Sequence, residues 1–228
     1  MGPTIDVITP TLWRHDRLVG LVANIHDTTR CEHVVTFVAE ADDIDTVETV
    51  EKLHADDPTV RLVLNQGAAS TAGAYNTGAN VTEAPWWFAG ADDLRYHDGW
   101  DEPLLALTGG AEVIGTNDLA DHPEVLAGTA ATHYLVNTAY IRDIGGTIDC
   151  GPGVAHFEGY PFWGPDSEIV GVARSRGVFA PCLDSVVEHQ HWLTAKAQMD
   201  RTYEKHAGTH ALSAAIFEIR RTMWEGTR

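Results

Sequence analysis

The sequence predicts an α/β protein whose sheet is mostly parallel and covered by helices on both faces. Short runs rich in Val and Ile alternate with longer amphipathic stretches over residues 5–64, which is a β-α-β-α-β pattern. These runs are too short for helices and rich in β-branched residues, as is typical of parallel strands buried on both faces. At 228 residues and 44% hydrophobic composition, the chain is long enough to bury one large core. We therefore expect a single domain spanning residues 1–228.

The first half of the chain provides the clearest signals. Residues 5–9 contain two Ile and one Val and predict a strand that ends at Pro10 and Thr11. Residues 12–27 carry apolar side chains at helical spacing and predict a helix. Further elements expected here are strands at His33–Ala39, Val60–Leu64 and Trp86–Ala89, and a helix at residues 44–54.

Small residues dominate the segment 65–80, which reads NQGAASTAGAYNTGAN. A helix formed by such residues can lie very close to a sheet or to a ligand, although its glycines lower the helix propensity. Close packing alone explains the composition equally well.

The second half is less regular. Residues 145–165 are rich in Gly, Pro and aromatic residues, which predicts a long loop, and such loops are often lids or binding surfaces. The remaining expectations are a connector at 123–128, a strand merging into a helix at 133–141, a helix at 166–176, short strands at 178–180 and 185–187, and an amphipathic helix that closes the chain.

The charge of the chain argues against a nucleic-acid partner. The formal net charge is −18, and only 15 Lys and Arg residues are present to contact phosphates. An anionic small substrate would therefore have to be held locally, by a metal ion or by a few well-placed cations.

The number and spacing of the cysteines and the hydropathy of the sequence bear on where in the cell the protein is located. Cys31, Cys150 and Cys182 show no CxxC spacing, and their odd number does not complete a set of disulfides, so a reducing cytoplasm is expected. No stretch approaches the roughly 20 apolar residues that span a bilayer, so no transmembrane segment is expected.

Two adjacent carboxylates follow the predicted strand Trp86–Ala89. Asp92 and Asp93 would lie at the carboxyl end of a buried strand, where ligands of doubly wound sheets gather. Carboxylates at such a place can hold a hard divalent cation and, through it, a diphosphate. The alternative is that the two aspartates only cap the next segment.

Five motifs in this order resemble the inverting glycosyltransferases of the GT-A fold, most closely family 2. IDVITPTLWR resembles the first strand and its turn, the segment 65–80 the stretch before the metal motif, and FAGADD the Asp-x-Asp motif. FWGPDSEIVGVARSRG resembles the acidic motif with its following helix, and VVEHQHW the strand end that carries a histidine. The chain departs from the pattern at Gly90, where the family has its first aspartate.

The resemblance implies a transfer of sugar from a UDP- or GDP-type donor to a hydroxyl, assisted by Mn²⁺ or Mg²⁺. It implies Asp92, Asp93 and His189 as metal ligands and Asp166 as the base. It divides the domain at about 1–95 (nucleotide-sugar half), 96–192 (acceptor half) and 193–228 (helical segment). The residues implied for the donor site are Pro10, Thr11, Arg14, Glu40, Asn65, Gly73, Asn76, Ala91 and Asp92.

Several assignments have alternatives. His191 competes with His189, because residues i and i+2 of an extended segment face the same side. Asp166 can be the N-cap of its helix, with Glu168 supporting the first turn. The acceptor stays open among sugars, lipid-linked sugars, protein side chains and modified nucleobases.

Two other functions compete with a glycosyltransferase. Gly90 supports a non-catalytic nucleotide-sugar or carbohydrate-binding module, whereas the presence of Asp92, Asp166 and His189 together speaks against it. A sugar nucleotidyltransferase is disfavoured, since no glycine-rich basic loop follows the first strand.

Overall fold

A computed structural model describes residues 4–225 of the chain. The predicted domain also includes residues 1–3 and 226–228, which lie outside the described residues. The described chain forms one eight-stranded sheet with helices packed on both faces. The expected α/β class is confirmed.

The strands follow one another in the sheet in the order β3-β2-β1-β4-β7-β6-β8-β5. Their bounds are β1 Ile5–Thr11, β2 His33–Ala39, β3 Val60–Leu64, β4 Trp86–Ala89, β5 Leu94–Tyr96, β6 Val113–Asn117, β7 Tyr134–Asn137 and β8 Phe179–His189.

The helices connect these strands and close the chain. Their bounds are α1 His15–Thr28, α2 Ile44–Asp56, α3 Thr71–Val81, α4 Asp101–Leu105, α5 Pro123–Leu126, α6 Thr138–Asp143, α7 Pro165–Ser175, α8 Arg201–His206 and α9 His210–Glu225. Among the described residues, none of these helices is both long and apolar enough to cross a membrane.

The first four strands run parallel, and the sheet becomes mixed after them. β1 pairs in parallel with β2 and β4, and β2 pairs in parallel with β3. β7 runs antiparallel between β4 and β6, while β8 is parallel to β6 and antiparallel to β5. The carboxyl ends of β1, β2 and β4 therefore meet at one edge, as the sequence predicts.

The core has two layers, one on each face of the sheet. One layer packs α1 and α2 against β1 and β2 through residues such as Leu18, Val50 and Phe37. The other packs α3 and α7 against the opposite face through residues such as Ala74 and Ile169. Gly78 of α3 lies so close to Ile8 that a Cβ atom would clash there, so the small residues of α3 allow close packing.

Some predicted boundaries are wrong. β1 continues through Pro10 to Thr11, because beyond Ile8 the strand pairs only with β2 and tolerates proline like an edge strand. Helix α1 begins at His15, not at residue 12, because Trp13 adopts a left-handed backbone (φ 58°) that interrupts a helix.

The second half also differs in detail. The two short strands expected at 178–180 and 185–187 are one strand, β8, and the expected closing helix is two, α8 and α9. The sequence also did not predict β5 and β6. The loop expected at 145–165 is confirmed, since residues 144–164 contain neither helix nor strand.

Candidate functional site

The acidic pair lies in the turn between β4 and β5. The Gly90 N–H donates to the Ile8 carbonyl oxygen at 2.9 Å, which keeps the chain beside β1 just past the end of β4. Asp92 and Asp93 follow, and each is only 7% exposed. Both carboxylates are therefore placed at the carboxyl edge of the sheet, where they need partners.

Gly90 has no room for a side chain. A Cβ atom there would lie 2.9 Å from Thr9 Oγ1, 3.0 Å from Tyr96 Oη and 3.2 Å from the Ile8 carbonyl oxygen. The first acid of the Asp-x-Asp pattern is thus excluded by packing in this chain, since contacts this short force neighbouring atoms to shift.

Arg14 is the cation that the pair contacts. Its Nη1 donates to Asp92 Oδ1 at 2.6 Å and to Asp93 Oδ2 at 3.3 Å. Its Nε and Nη2 donate to the two oxygens of Asp200 at 2.9 and 3.2 Å. The ring of Tyr203 lies 4.2 Å from the guanidinium carbon. Arg14 is 5% exposed and donates hydrogen bonds to all three of these carboxylates.

His189 reaches the pair from β8. Its Nε2 lies 3.4 Å from Asp93 Oδ1, and the Tyr203 hydroxyl donates to Asp93 Oδ2 at 2.7 Å. Burial would raise the pKa of Asp93, but His189, Arg14 and Tyr203 together hold it well below its usual range. Burial would lower the pKa of His189, but Asp93 raises it. The two groups therefore stabilise each other as an ion pair.

Asp92 is in a different electrostatic state from Asp93. Burial raises its pKa, with Asp93 adding to the effect and Arg14 opposing it. Two adjacent buried carboxylates disfavour each other's charge, so a further cation would be stabilised beside Asp92.

A cavity of about 340 Å³ opens at this edge and brings most of the predicted site residues together. Those that line it are Pro10, Thr11, Arg14, Glu40, Ala91, Asp92, Asp93, Asp166, His189 and the competing His191. Phe162 and Trp163, which precede Asp166 in the long loop, also line the cavity.

Three residues expected in the donor site do not line this cavity. Asn65 donates to Glu40 Oε1 at 2.8 Å and so supports a lining residue from behind. Asn76 accepts from the Ala155 and His156 N–H groups at 3.0 and 2.9 Å, which anchors the long loop. Gly73 packs against the backbone of Ala68, where no Cβ would fit. In this structure their contacts are with neighbouring protein groups outside the cavity.

Asp166 lies in the first turn of α7, directly after Gly164 and Pro165. Gly164 has φ 117°, a conformation that favours glycine, and Pro165 is a preferred first residue of a helix. Burial raises the pKa of Asp166, while the Ser167 N–H and the Gly164 N–H oppose the rise. The N-cap of α7 is Gly164, so Asp166 is not the cap that the alternative interpretation assumes.

Glu168 is unavailable for chemistry in the cavity. Both its oxygens accept from Arg220, at 2.6 and 2.7 Å, and the Tyr160 hydroxyl donates to it at 2.9 Å. It is 1% exposed. Of the two acids in this turn, Asp166 is therefore the one that faces the cavity.

Sequence reasoning missed the residues that come from the end of the chain. Asp200 and Tyr203 contact Arg14 and Asp93, and Thr202 Oγ1 donates to the Leu12 carbonyl oxygen at 2.6 Å. The Arg201 guanidinium lies 3.7 Å from the Trp13 ring. No local motif marks these residues, because their roles arise from contacts with the loop between β1 and α1.

The donor atoms at this edge fit a divalent cation shared with a ligand. Among residues 4–225, no three or more His, Cys, Asp or Glu side chains are grouped so that they could hold a metal ion without other ligands. An open set of carboxylates with one imidazole suits Mg²⁺ and Mn²⁺, which are usually held by one or two carboxylates and completed by phosphate oxygens and water. Asp92 and His189 lie at the cavity wall, where a diphosphate could complete such a set.

Solved glycosyltransferases share this architecture. A mannosyltransferase from Pyrobaculum calidifontis, determined with GDP-Man and Mn²⁺, matches with a TM-score of 0.65 at 14% identity over 97% of this chain. Glucosyl-3-phosphoglycerate synthase from Mycobacterium tuberculosis, determined with Mn²⁺, UDP-glucose and phosphoglyceric acid, matches with a TM-score of 0.64 at 14% identity over 96% of this chain. The same synthase with Mg²⁺ and UDP gives a TM-score of 0.60.

These matches show the fold. The chain spans 63% of the length of the mannosyltransferase and 80% of that of the synthase. No protein-family model and no curated protein matches the sequence. The chain therefore has the GT-A type of fold that the motifs predict, with a sequence far from those of these neighbours.

Proposed function

We propose that the protein is a metal-dependent inverting glycosyltransferase that moves a sugar from a nucleotide-diphosphate donor to a hydroxyl acceptor. The observation that carries the proposal is that Asp92, Asp93, His189 and Asp166 line one cavity at the carboxyl edge of a GT-A-type sheet. The solved neighbours bind UDP-glucose or GDP-Man with Mn²⁺, so a donor of UDP or GDP type is expected here.

Asp92 and His189 would hold the cation. Asp93 would orient His189 directly, and it would orient Asp92 through Arg14, which contacts both carboxylates. When bound, Mn²⁺ or Mg²⁺ neutralises the negative charge that develops on a departing diphosphate. Arg14 lies beside the same carboxylates and can contact a phosphate oxygen. The cavity edge thus supplies positive charge where the leaving group would lie.

The nucleotide would lie between β1 and β2. Glu40 lines the cavity there, and Asn65 holds one of its oxygens at 2.8 Å, which leaves the other oxygen to accept from a ribose hydroxyl or a base N–H. Pro10 and Thr11 line the same wall.

Asp166 would remove the proton of the attacking acceptor hydroxyl. A base in an inverting transfer must reach the acceptor on the face of the sugar opposite the diphosphate. Asp166 lies on α7, which packs on the β6–β8 half of the sheet, away from the β1–β2 nucleotide wall. The raised pKa of Asp166 makes it a better proton acceptor than an ordinary aspartate.

The acceptor and the compartment complete the proposal. The aromatic side chains of Phe162 and Trp163 can pack against the C–H faces of a sugar ring on the acceptor. Cys31, Cys150 and Cys182 are free thiols, which supports a cytoplasmic location. We place the activity among family 2 glycosyltransferases on the motifs described above.

A thermal-shift panel tests the proposal. UDP, GDP and their common sugar conjugates are added with and without Mn²⁺, because a ligand that binds the native state raises the melting temperature. We expect a Mn²⁺-dependent rise with at least one diphosphate. Asp92→Asn should remove the rise, whereas Asp45→Asn, an exposed acid on α2, should keep it.

A second measurement separates an enzyme from a binding module. The nucleotide sugar that raises the melting temperature is incubated with the protein and Mn²⁺ for several hours. Chromatography then measures how much of it has been hydrolysed. Release of the nucleoside diphosphate supports turnover. Binding without any release would favour the non-catalytic module, and release of a nucleoside monophosphate together with a sugar 1-phosphate would favour nucleotidyl transfer to water.

A further inference from the structure

The carboxyl-terminal helix α9 sends one arginine into the interior. Arg220 is 5% exposed, whereas the side chain of its neighbour Arg221 is 43% exposed. Ser213, Arg220 and Trp224 form the buried face of α9, which packs against α7. A Cβ on Gly171 of α7 would lie 2.5 Å from the Trp224 indole nitrogen, so the two helices are in close contact.

Arg220 binds two carboxylates with fork geometry. Its Nε and Nη2 donate to the two oxygens of Glu168 at 2.7 and 2.6 Å. Its Nη1 and Nη2 donate to the two oxygens of Asp149 at 3.0 and 2.6 Å. The guanidinium carbon lies 3.7 Å from the centre of the Phe157 ring. Bidentate pairs of this kind fix orientation as well as distance.

The partners of Arg220 belong to different parts of the acceptor half. Glu168 is in the first turn of α7, two residues after Asp166, whereas Asp149 and Phe157 belong to the loop without regular structure. Tyr160, in the same loop, donates to Glu168 Oε2. One side chain therefore ties α9, the start of α7 and the loop that leads to Asp166.

Stability alone does not account for this arrangement. A buried ion pair loses hydration that its attraction only partly restores, and apolar residues of similar size often stabilise a fold as well. The pair instead provides a defined geometry at the turn that carries Asp166. A displacement of a reacting group by about 1 Å can lower a rate on the order of 100-fold.

We infer that Arg220 is a positioning residue, which fixes the first turn of α7 through Glu168 and thereby holds the Asp166 carboxylate at the cavity. The inference rests on the proposed function. Arg220 does not line the cavity and does not touch the donor wall formed by Thr11 and Glu40.

The kinetic test compares Arg220→Met with Arg221→Met on the same helix. For Arg220→Met we expect kcat for transfer or donor hydrolysis to fall at least 10-fold, while KM for the donor and the donor-induced thermal shift stay within twofold. Arg220→Lys should recover part of kcat, and Arg221→Met should match the unmodified protein. An Arg220→Met variant with unchanged kcat, or with donor binding lost in proportion to kcat, overturns the inference.

A double variant separates positioning from folding. Glu168→Met with Arg220→Met removes both charges, so no buried carboxylate is left without its partner. We expect a melting temperature within a few degrees of the unmodified protein and a kcat that stays at least 10-fold low. Full kcat in the double variant would show that the ion pair serves only the fold and would overturn the inference.

Hydrogen exchange gives a readout that does not need turnover. Amide exchange of residues 145–168 should accelerate at least 10-fold in Arg220→Met and stay unchanged in Arg221→Met, while residues of β1 and β2 keep their protection. Unchanged exchange in Arg220→Met overturns the positioning role even if the unmodified protein proves to have no transferase activity. Failure of the proposed function is visible separately, as absence of turnover in the unmodified protein.

Discussion

Arg14 Nη1 donates to Asp92 Oδ1 at 2.6 Å, so the carboxylate expected to bind a metal ion already contacts a buried cation. The same guanidinium contacts Asp93 and Asp200. A divalent ion entering beside Asp92 would therefore replace or share this contact. Arg14 would keep its two hydrogen bonds to Asp200 when it gives up Asp92.

Replacing Arg14 tests this competition. Arg14→Met leaves Asp92 buried without its counter-ion, whereas Asp93 keeps His189. Removing one partner of a buried pair typically costs about 3–5 kcal/mol. We expect a lower melting temperature without metal and a larger rise on adding Mn²⁺ than in the unmodified protein, measured by thermal unfolding.

The control for this experiment is Arg17→Met. Arg17 also pairs with Asp200, at 2.9 Å, but it is about one-third exposed and does not contact the acidic pair. Its response to Mn²⁺ should equal that of the unmodified protein. Equal Mn²⁺ responses in both variants would show that Arg14 does not compete with the metal.

Restoring the missing acid should not improve metal binding. In Gly90→Asp the new Cβ would meet Thr9 Oγ1 and Tyr96 Oη within 3.0 Å, and overpacking of this kind costs about 1–3 kcal/mol. We expect a lower melting temperature and no gain in Mn²⁺ affinity, measured by electron paramagnetic resonance of free Mn²⁺. Tighter Mn²⁺ binding in a variant of normal stability would contradict the packing argument.

The parallel part of the fold was predictable because each β-α unit carries its own signal. Val- and Ile-rich runs such as His33–Ala39 are too short for helices and are separated by amphipathic stretches. β5 has only three residues and β6 contains Gly115, so neither shows a local strand signal. These strands exist because β8 pairs with both.

Only those site residues that directly follow a predicted strand could be predicted from the sequence. Asp92 and Asp93 directly follow an apolar strand, and their place at the sheet edge follows from that order. Tyr203 contacts Asp93 across 110 residues of sequence, and Arg14 contacts Asp200 across 186. Such contacts depend on how α8 packs over the loop at Trp13, which no local pattern encodes.

The role of Asp166 as a base predicts a specific loss. Asp166→Asn removes the proton acceptor but keeps the size of the side chain, so general-base catalysis worth about 10²–10⁴-fold should disappear. Donor binding, measured by thermal shift with Mn²⁺, should stay unchanged. Asp143→Asn, at the exposed end of α6, serves as the control. Transfer at a normal rate in Asp166→Asn would exclude this role.

The pH profile of transfer provides a second test of Asp166. Only the deprotonated carboxylate accepts a proton, and burial raises its pKa above the usual value for aspartate. The rate should therefore fall with decreasing pH at a higher pH than an ordinary aspartate would give. Asp166→Asn should remove this acidic limb from any residual activity, and an unchanged limb would assign it to another group.

Buried His156 should make the fold sensitive to mild acid. It is 1% exposed, and burial lowers its pKa to about 4, whereas an unfolded histidine titrates near 6.5. As the pH falls, the unfolded chain binds this proton at a higher pH than the folded chain does. The contribution of neutral His156 to the free energy of unfolding is therefore fully present above about pH 6.5 and is lost as the pH falls towards 4. The slope of the free energy of unfolding against pH should approach roughly 1.4 kcal/mol per pH unit for one histidine.

Chemical denaturation between pH 7.5 and 4.5 should show a shallower slope in His156→Gln than in the exposed control His15→Gln. Parallel slopes in the two variants would show that His156 does not titrate on unfolding.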